Sequence, residues 1–201
     1  MTAFFSRRNQ VYQKDNTVYK IFSDPGDLKT EAMLLEKLLA AGVSVPRILD
    51  KREDTLALTF VEGTPYAEII DALGEKEVRE LLDWQEAYYR ALPGCSRPDI
   101  NWRNYLWTGE ICVGLDFEQI GNDAPERDYG RMLAFVATYA PACSDDRKDV
   151  VQWFLQGLIQ RGYTPSAVFE HCQEELLRME ARRGYTREFA EEVQVWVESI
   201  F

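Results

Sequence analysis

The sequence predicts an α+β protein in two lobes: a small antiparallel sheet with one helix over residues 1–62, then a mainly helical lobe over 63–201 containing a short hairpin. Three observations lead there. β-Branched and aromatic runs separated by turn residues mark strands in the first twenty-odd residues and again on either side of Lys51-Arg52-Glu53-Asp54. After Pro65 the apolar spacing changes to threes and fours, the period of helices. The charge changes at the same place: residues 1–65 hold nine basic and nine acidic residues, whereas 66–201 hold 14 basic and 25 acidic.

The elements follow in order. Val11-Tyr12 and Thr17-Val18-Tyr19-Lys20-Ile21-Phe22 read as strands about a Lys14-Asp15-Asn16 turn. Asp24-Pro25-Gly26-Asp27 breaks the chain, and Asp27 is placed to cap a helix from about Leu28 to Ala41, ended by Gly42. Ala32, Leu35, Leu38 and Leu39 form its apolar face. Residues 43–49 and 56–61 read as two more strands around Lys51-Arg52-Glu53-Asp54, so the first 62 residues form a β-β-β-α-β-β unit. Glu62-Gly63-Thr64-Pro65 reads as the linker between the lobes. A short helical piece near Tyr66–Leu73 precedes a long helix from about Glu75 to Leu92, stopped by Pro93-Gly94. Tyr105-Leu106-Trp107 and Ile111-Cys112-Val113-Gly114-Leu115, joined through Thr108-Gly109-Glu110, read as a hairpin. From Asp128 the pattern is helical, with breaks at Pro141, near Gly162–Pro165 and at Gly184.

Composition narrows the function. With 201 residues, 46% hydrophobic and 28% charged, the chain can bury a core without disulfides or metal staples. A net charge of −11 argues against a direct grip on nucleic acid, which needs clustered Lys and Arg. The acidic second lobe suits cationic small molecules, or simply keeps the surface solvated. Cys95, Cys112, Cys143 and Cys172 show no CxxC spacing and read as reduced thiols, and the single histidine, His171, excludes multi-histidine zinc sites. The start of the chain has no apolar targeting core, and the longest apolar run, Met132 to Ala137, cannot span a bilayer. A cytoplasmic protein without membrane contact is expected.

Five residues stand out by type and order. Lys20 lies on a strand and Glu31 on the helix after it. Asp99 and Asn104 share the Asp-x4-Asn loop Pro98-Asp99-Ile100-Asn101-Trp102-Arg103-Asn104, and Asp116 follows the hairpin in Asp116-Phe117-Glu118. Kinase-type phosphoryl transfer uses this order. A migrating phosphoryl group needs its charge neutralised and its partners aligned. A strand lysine held by a helix glutamate can grip phosphates, while Asp and Asn oxygens suit Mg²⁺. A further Asp can take the proton of an acceptor hydroxyl. Taken singly, each has a plainer use: Lys20 as a solvated strand end, Glu31 as a dipole-favoured acid, Asp99 as a turn residue, Asn104 as a cap. Asp116 resists this, because a carboxylate closing an apolar strand needs a partner. Trp102, inside the loop, is placed either to stack on a substrate ring or to pack against the lower lobe.

The chain resembles the aminoglycoside phosphotransferase and choline kinase family, a branch of the protein-kinase-like fold, over roughly residues 10–140. The resemblance rests on Glu31–Leu38 running into Gly42–Leu49, on Thr59-Phe60-Val61-Glu62-Gly63 as a hinge, and on Gly114-Leu115-Asp116-Phe117-Glu118 followed by Asp128-Tyr129-Gly130. It extends to the small atypical kinases that work with tRNA-modifying complexes. It implies Lys20 as the phosphate lysine, Glu31 as its partner, Asp99 as catalytic base, and Asn104 and Asp116 as Mg²⁺ ligands. It also implies Phe60 and Val61 at the adenine and a structural role for Asp128. Two departures stand out. Arg97-Pro98-Asp99 replaces the family's His-Gly-Asp triplet, and no glycine precedes Gly26, so the glycine-rich phosphate loop is missing. Ser6-Arg7-Arg8-Asn9 stands in its place, where Arg7 and Arg8 are candidates to hold phosphates by side chain or are plain surface arginines.

The resemblance therefore implies an ATP- and Mg²⁺-dependent phosphotransferase acting on a hydroxyl of a small molecule, with amine-bearing acceptors in the aminoglycoside or choline manner. One alternative is a pseudokinase serving as a nucleotide- or partner-binding module, favoured by the two departures. Another is a small atypical protein kinase. Only eleven residues separate Asp116 from Asp128, which leaves no room for a long peptide-docking segment.

Overall fold

The computed structural model describes residues 2–4 and 8–200. Strands β1 (Thr2–Phe4), β2 (Gln10–Lys14), β3 (Thr17–Ile21), β4 (Ile48–Lys51) and β5 (Thr55–Thr59) form an antiparallel sheet in the order β1-β2-β3-β5-β4. β3 is central, and Lys20 pairs with Val11 on one side and Leu56 on the other. Both neighbours hold its backbone, so the Lys20 side chain leaves a rigid platform.

Helix α1 (Pro25–Ala40) lies in the connection from β3 to β4 and buries Leu28, Ala32, Leu35 and Leu38. It starts three residues earlier than the sequence suggests. Asp24, not Asp27, is the cap: its carboxylate accepts the Gly26 N–H at 2.6 Å. Pro25 occupies the first helical position, where its fixed φ fits and its missing N–H costs nothing. Gly42 closes the helix at φ +77°, a left-handed conformation that a side chain would strain.

The strand expected over 43–49 is confined to its end. Val43 and Val45 are buried, and Pro46 cannot donate to a ladder. The Ser44 carbonyl instead accepts from the Trp84 indole at 2.8 Å and from the Gly114 N–H at 3.1 Å. This segment thus ties the five-stranded sheet to the rest of the molecule.

The linker has structure of its own. Thr64–Pro65 is a short strand, β6, paired with β7 (Tyr105–Trp107), which pairs in turn with β8 (Cys112–Gly114). Helices α2 (Glu75–Ala91), α3 (Pro125–Thr138), α4 (Lys148–Gln160), α5 (Pro165–Arg183) and α6 (Arg187–Glu198) make up the remainder. α2 is capped by the Glu77 carboxylate on the Gly74 N–H at 2.9 Å and buries Val78, Leu81, Leu82, Trp84, Gln85 and Tyr88. α3 begins at Pro125, not Asp128, because proline again suits a first helical position. Trp102 is fully buried and donates its indole N–H to the Met132 carbonyl at 2.9 Å, so it packs and offers no face to a substrate. Among the described residues, no helix is long and apolar enough to cross a membrane.

α3 and α5 touch at Gly130. A Cβ there would meet His171 Cβ at 2.6 Å and Cys172 N at 2.7 Å. Backbone cannot yield as a side-chain tip can, so Gly130→Ala is expected to destabilise the fold by about 1–3 kcal/mol. Urea unfolding followed by circular dichroism measures this, and an unchanged midpoint would show that α5 shifts at no cost.

Candidate active site

Lys20 is 7% exposed, and three carboxylates surround it. Its Nζ lies 2.6 Å from Glu31 Oε2, 2.7 Å from Asp116 Oδ1 and 2.6 Å from Glu118 Oε1. The ammonium donates hydrogen bonds to Glu31 and Asp116, and Glu118 completes the ring of ion pairs. Glu31 arrives from α1, one residue before the apolar Ala32, so the helix that packs on the sheet also aims this acid at the strand. Asp116 and Glu118 come from the segment after β8. Phe117 between them is 1% exposed, and with it turned into the core its two neighbours face Lys20.

Burial works against the charge of Lys20, yet Glu31, Asp116 and Glu118 outweigh it and hold the ammonium above the usual lysine range. Burial lifts the Glu31 carboxyl to about 7; Lys20 opposes the rise, and Asp116 and Glu118 add to it. With all three carboxyls ionised, one cation among them leaves the cluster two negative charges in excess. Carboxylate oxygens of Glu31, Asp116 and Glu118 all lie within 4.8 Å of one another. Hard oxygen donors with unbalanced negative charge fit a small divalent cation such as Mg²⁺. Asp116 is the most open of the three, at 37% of its side chain.

The Asp-x4-Asn loop sits beside this cluster. A 3₁₀ turn at Trp102–Asn104 follows Asn101, whose side chain accepts the Arg103 N–H. Asn104 Nδ2 donates to the Asp99 carbonyl at 2.9 Å, and the Asn104 carbonyl accepts the Leu115 N–H at 2.8 Å. The first bond closes the loop, and the second fastens it beside Asp116. With its amide nitrogen so used, Asn104 keeps Oδ1 as the atom for a cation. The Asp99 carboxylate is exposed, and its contact is the Asn101 amide at 3.3 Å.

Below the loop, Asp128 on α3 is fully buried. It accepts the Arg97 N–H at 2.7 Å and the Tyr89 hydroxyl at 2.9 Å, and it pairs with Arg131 at 3.1 Å. Burial raises its carboxyl above the usual range, against these partners. It anchors the start of the loop to the helix, the role the family resemblance implies for it.

The other expected residues are placed as follows. The Phe60 N–H donates to the Asn16 carbonyl at 3.1 Å, so it is not available to a base; Val61, half-buried, has no backbone hydrogen bond among the described residues. Arg7 lies outside the described residues. Arg8 is exposed, and its guanidinium faces the Gln119 side-chain oxygen when that amide is turned to accept. Arg8 therefore lies over the segment that carries Asp116 and Glu118.

Two participants escape sequence reasoning. Glu118 stands in the quoted motif without a role; its spacing of two from Asp116 is the signal that both point the same way. Asn9 is buried directly before β2. Its Nδ2 donates to Glu118 and its Oδ1 accepts the Ser23 N–H at 3.0 Å. Nothing local distinguishes that asparagine from a turn residue.

No model of a known protein family matches the chain. The EKC/KEOPS complex subunit BUD32 of Encephalitozoon cuniculi (strain GB-M1) is 35% identical over 71 residues, which is 35% of this chain and 35% of that protein. The match thus spans about a third of its length. In structure, the streptomycin–ATP–APH(2")-IIa ternary complex superposes with a TM-score of 0.63 at 11% identity, covering 98% of this chain and 90% of that one. A choline/ethanolamine kinase family protein from Mesorhizobium loti gives 0.54 at 14% identity, over 98% and 86%. The chain has the α+β, protein-kinase-like fold. Its form is the one found in aminoglycoside phosphotransferases and choline/ethanolamine kinase family proteins.

Proposed function

We propose that the protein is an ATP-dependent phosphotransferase that moves the γ-phosphoryl group to a hydroxyl of a small molecule. The observation that carries this is the meeting of Lys20, Glu31 and Asp116 from a strand, a helix and a post-hairpin segment, 11 and 96 residues from Lys20 along the chain. In this reading Glu31 aims Lys20 at the phosphates, and Arg8, with Arg7 outside the described residues, adds charge where glycines would otherwise approach. Asp116 and Asn104 would hold Mg²⁺, which supplies charge neutralisation between the phosphates. Asp99, exposed on the loop, accepts the hydroxyl proton. The excess of acidic residues after Pro65 favours an amine-bearing acceptor, and the ternary complex of the same fold holds ATP together with streptomycin. The partial likeness to BUD32 favours a second reading, a small atypical protein kinase working inside a complex.

The test is a thermal melt with ATP, with Mg²⁺ and with both. A ligand at a hundredfold excess over its Kd adds about 2.7 kcal/mol, which for a domain of this size is a rise of about 5–10 °C. The rise is expected with both together. No rise at millimolar ATP would overturn the nucleotide site and leave a pseudokinase module. Phosphate transfer to amine-bearing alcohols, against transfer to protein hydroxyls, then separates the two readings.

A further inference from the structure

We propose that Arg97 is a positioning residue that holds Asp116 in its metal-binding conformation. This rests on the phosphotransferase reading and goes beyond it. Arg97 is 2% exposed, and among the described residues no carboxylate pairs with its guanidinium. Neutral groups hold the cation instead. Nη1 donates to the Tyr105 hydroxyl at 2.6 Å, and Nη2 to the carbonyls of Leu115 at 2.7 Å and Asp116 at 3.2 Å. Four rings enclose it, with centroids at 4.6 Å for Phe117, 4.9 Å for Tyr105, 5.3 Å for Trp84 and 5.8 Å for Tyr88.

Burying a charge without a counter-ion is costly, and an apolar side chain would fill this space at less expense. What the guanidinium adds is a grip on two successive carbonyls. That grip falls where the backbone needs it: Asp116 sits at φ +61°, a left-handed conformation rare for a residue with a side chain. Lys20 holds the Asp116 carboxylate from one side, and Arg97 holds its carbonyl from the other. The same residue gives its own N–H to Asp128 and so belongs to the loop carrying Asp99. Arg97 therefore links the loop, the hairpin through Tyr105, and the metal-facing aspartate with one planar side chain. An ammonium lacks this fork geometry.

The experiment titrates Mn²⁺ into the full chain with a non-hydrolysable ATP analogue, reading free Mn²⁺ by electron paramagnetic resonance. Arg97→Lys keeps the charge and loses the fork; it is expected to weaken Mn²⁺ binding about 10–100-fold, the usual effect of removing a group that orients a ligand. The same change made on top of Asp116→Asn adds no further loss. Tyr105→Phe keeps the ring and frees one arm of the fork; a smaller loss in the same direction is expected, and this variant decides the matter if the lysine variant does not fold. Wild-type Mn²⁺ affinity in a folded Arg97→Lys protein, or losses that add to Asp116→Asn, would make Arg97 a packing residue and overturn the proposal. Absence of Mn²⁺-dependent analogue binding in the wild type would instead overturn the phosphotransferase reading, and this inference with it.

Discussion

Replacing Asp99 by asparagine is expected to lower phosphoryl transfer by about 10²–10⁴-fold, the range for removing a general base. Stability should hardly change. The carboxylate is exposed, and its contact is one amide of the same loop at 3.3 Å. Substitutions at such positions usually stay within about 0.5 kcal/mol. The Asp99 group on which the loop depends is its carbonyl, bonded to Asn104, and that survives the change. Nucleotide binding should survive as well, since Lys20, Glu31 and Asp116 are untouched. Steady-state kinetics with a melting curve on the same preparation checks all three. Full activity in Asp99→Asn would remove Asp99 from the chemistry.

Asp128→Ala is expected to act in the opposite way, through stability. The carboxylate is fully buried and has three partners, the Arg97 amide, the Tyr89 hydroxyl and Arg131. Alanine leaves the buried Arg97 N–H and the Tyr89 hydroxyl without this acceptor, while Arg131 keeps Asp123 at 3.3 Å. Breaking a buried pair from one side costs about 3–5 kcal/mol. Whole domains are stable by about 5–15 kcal/mol, so a large share of the fold would be lost. Equilibrium urea unfolding measures it, and a loss below about 1 kcal/mol would show that water or a neighbour replaces the carboxylate. The contrast with Asp99 is informative because the two aspartates flank one loop: one is exposed with its carboxylate nearly unengaged, the other is sealed and fully bonded.

Much of this arrangement was legible in the sequence, where local chemistry decides. β3 followed from a β-branched run, the body of α1 from apolar spacing, and the hairpin from Thr108-Gly109-Glu110. Lys20, Glu31 and Asp116 were found because their order along the chain is itself a signal, and the structure brings these three together. Boundaries were missed where proline has two uses: Pro25 and Pro125 break a strand or loop and also start a helix. The strand expected over 43–49 does not form over 43–47, because the Ser44 carbonyl bonds to Trp84 and Gly114, far along the chain. Asn9 and Glu118 meet across 109 residues, and Arg97 reaches Asp116 across 19, so no periodicity reports either contact. The helices after Pro141 were legible as helices, yet their pattern does not say what an acceptor would touch.

The central claim is that Lys20, Asp116 and Asn104 converge on a triphosphate and its metal ion. A crystal structure with a non-hydrolysable ATP analogue and Mg²⁺ tests it most directly. The account predicts phosphate oxygens within hydrogen-bond reach of Lys20 Nζ, the metal ion on Asp116 and Asn104 Oδ1, and Glu31 still bonded to Lys20. A nucleotide bound elsewhere, or Lys20 still enclosed by Glu31, Asp116 and Glu118 with the analogue present, would contradict it.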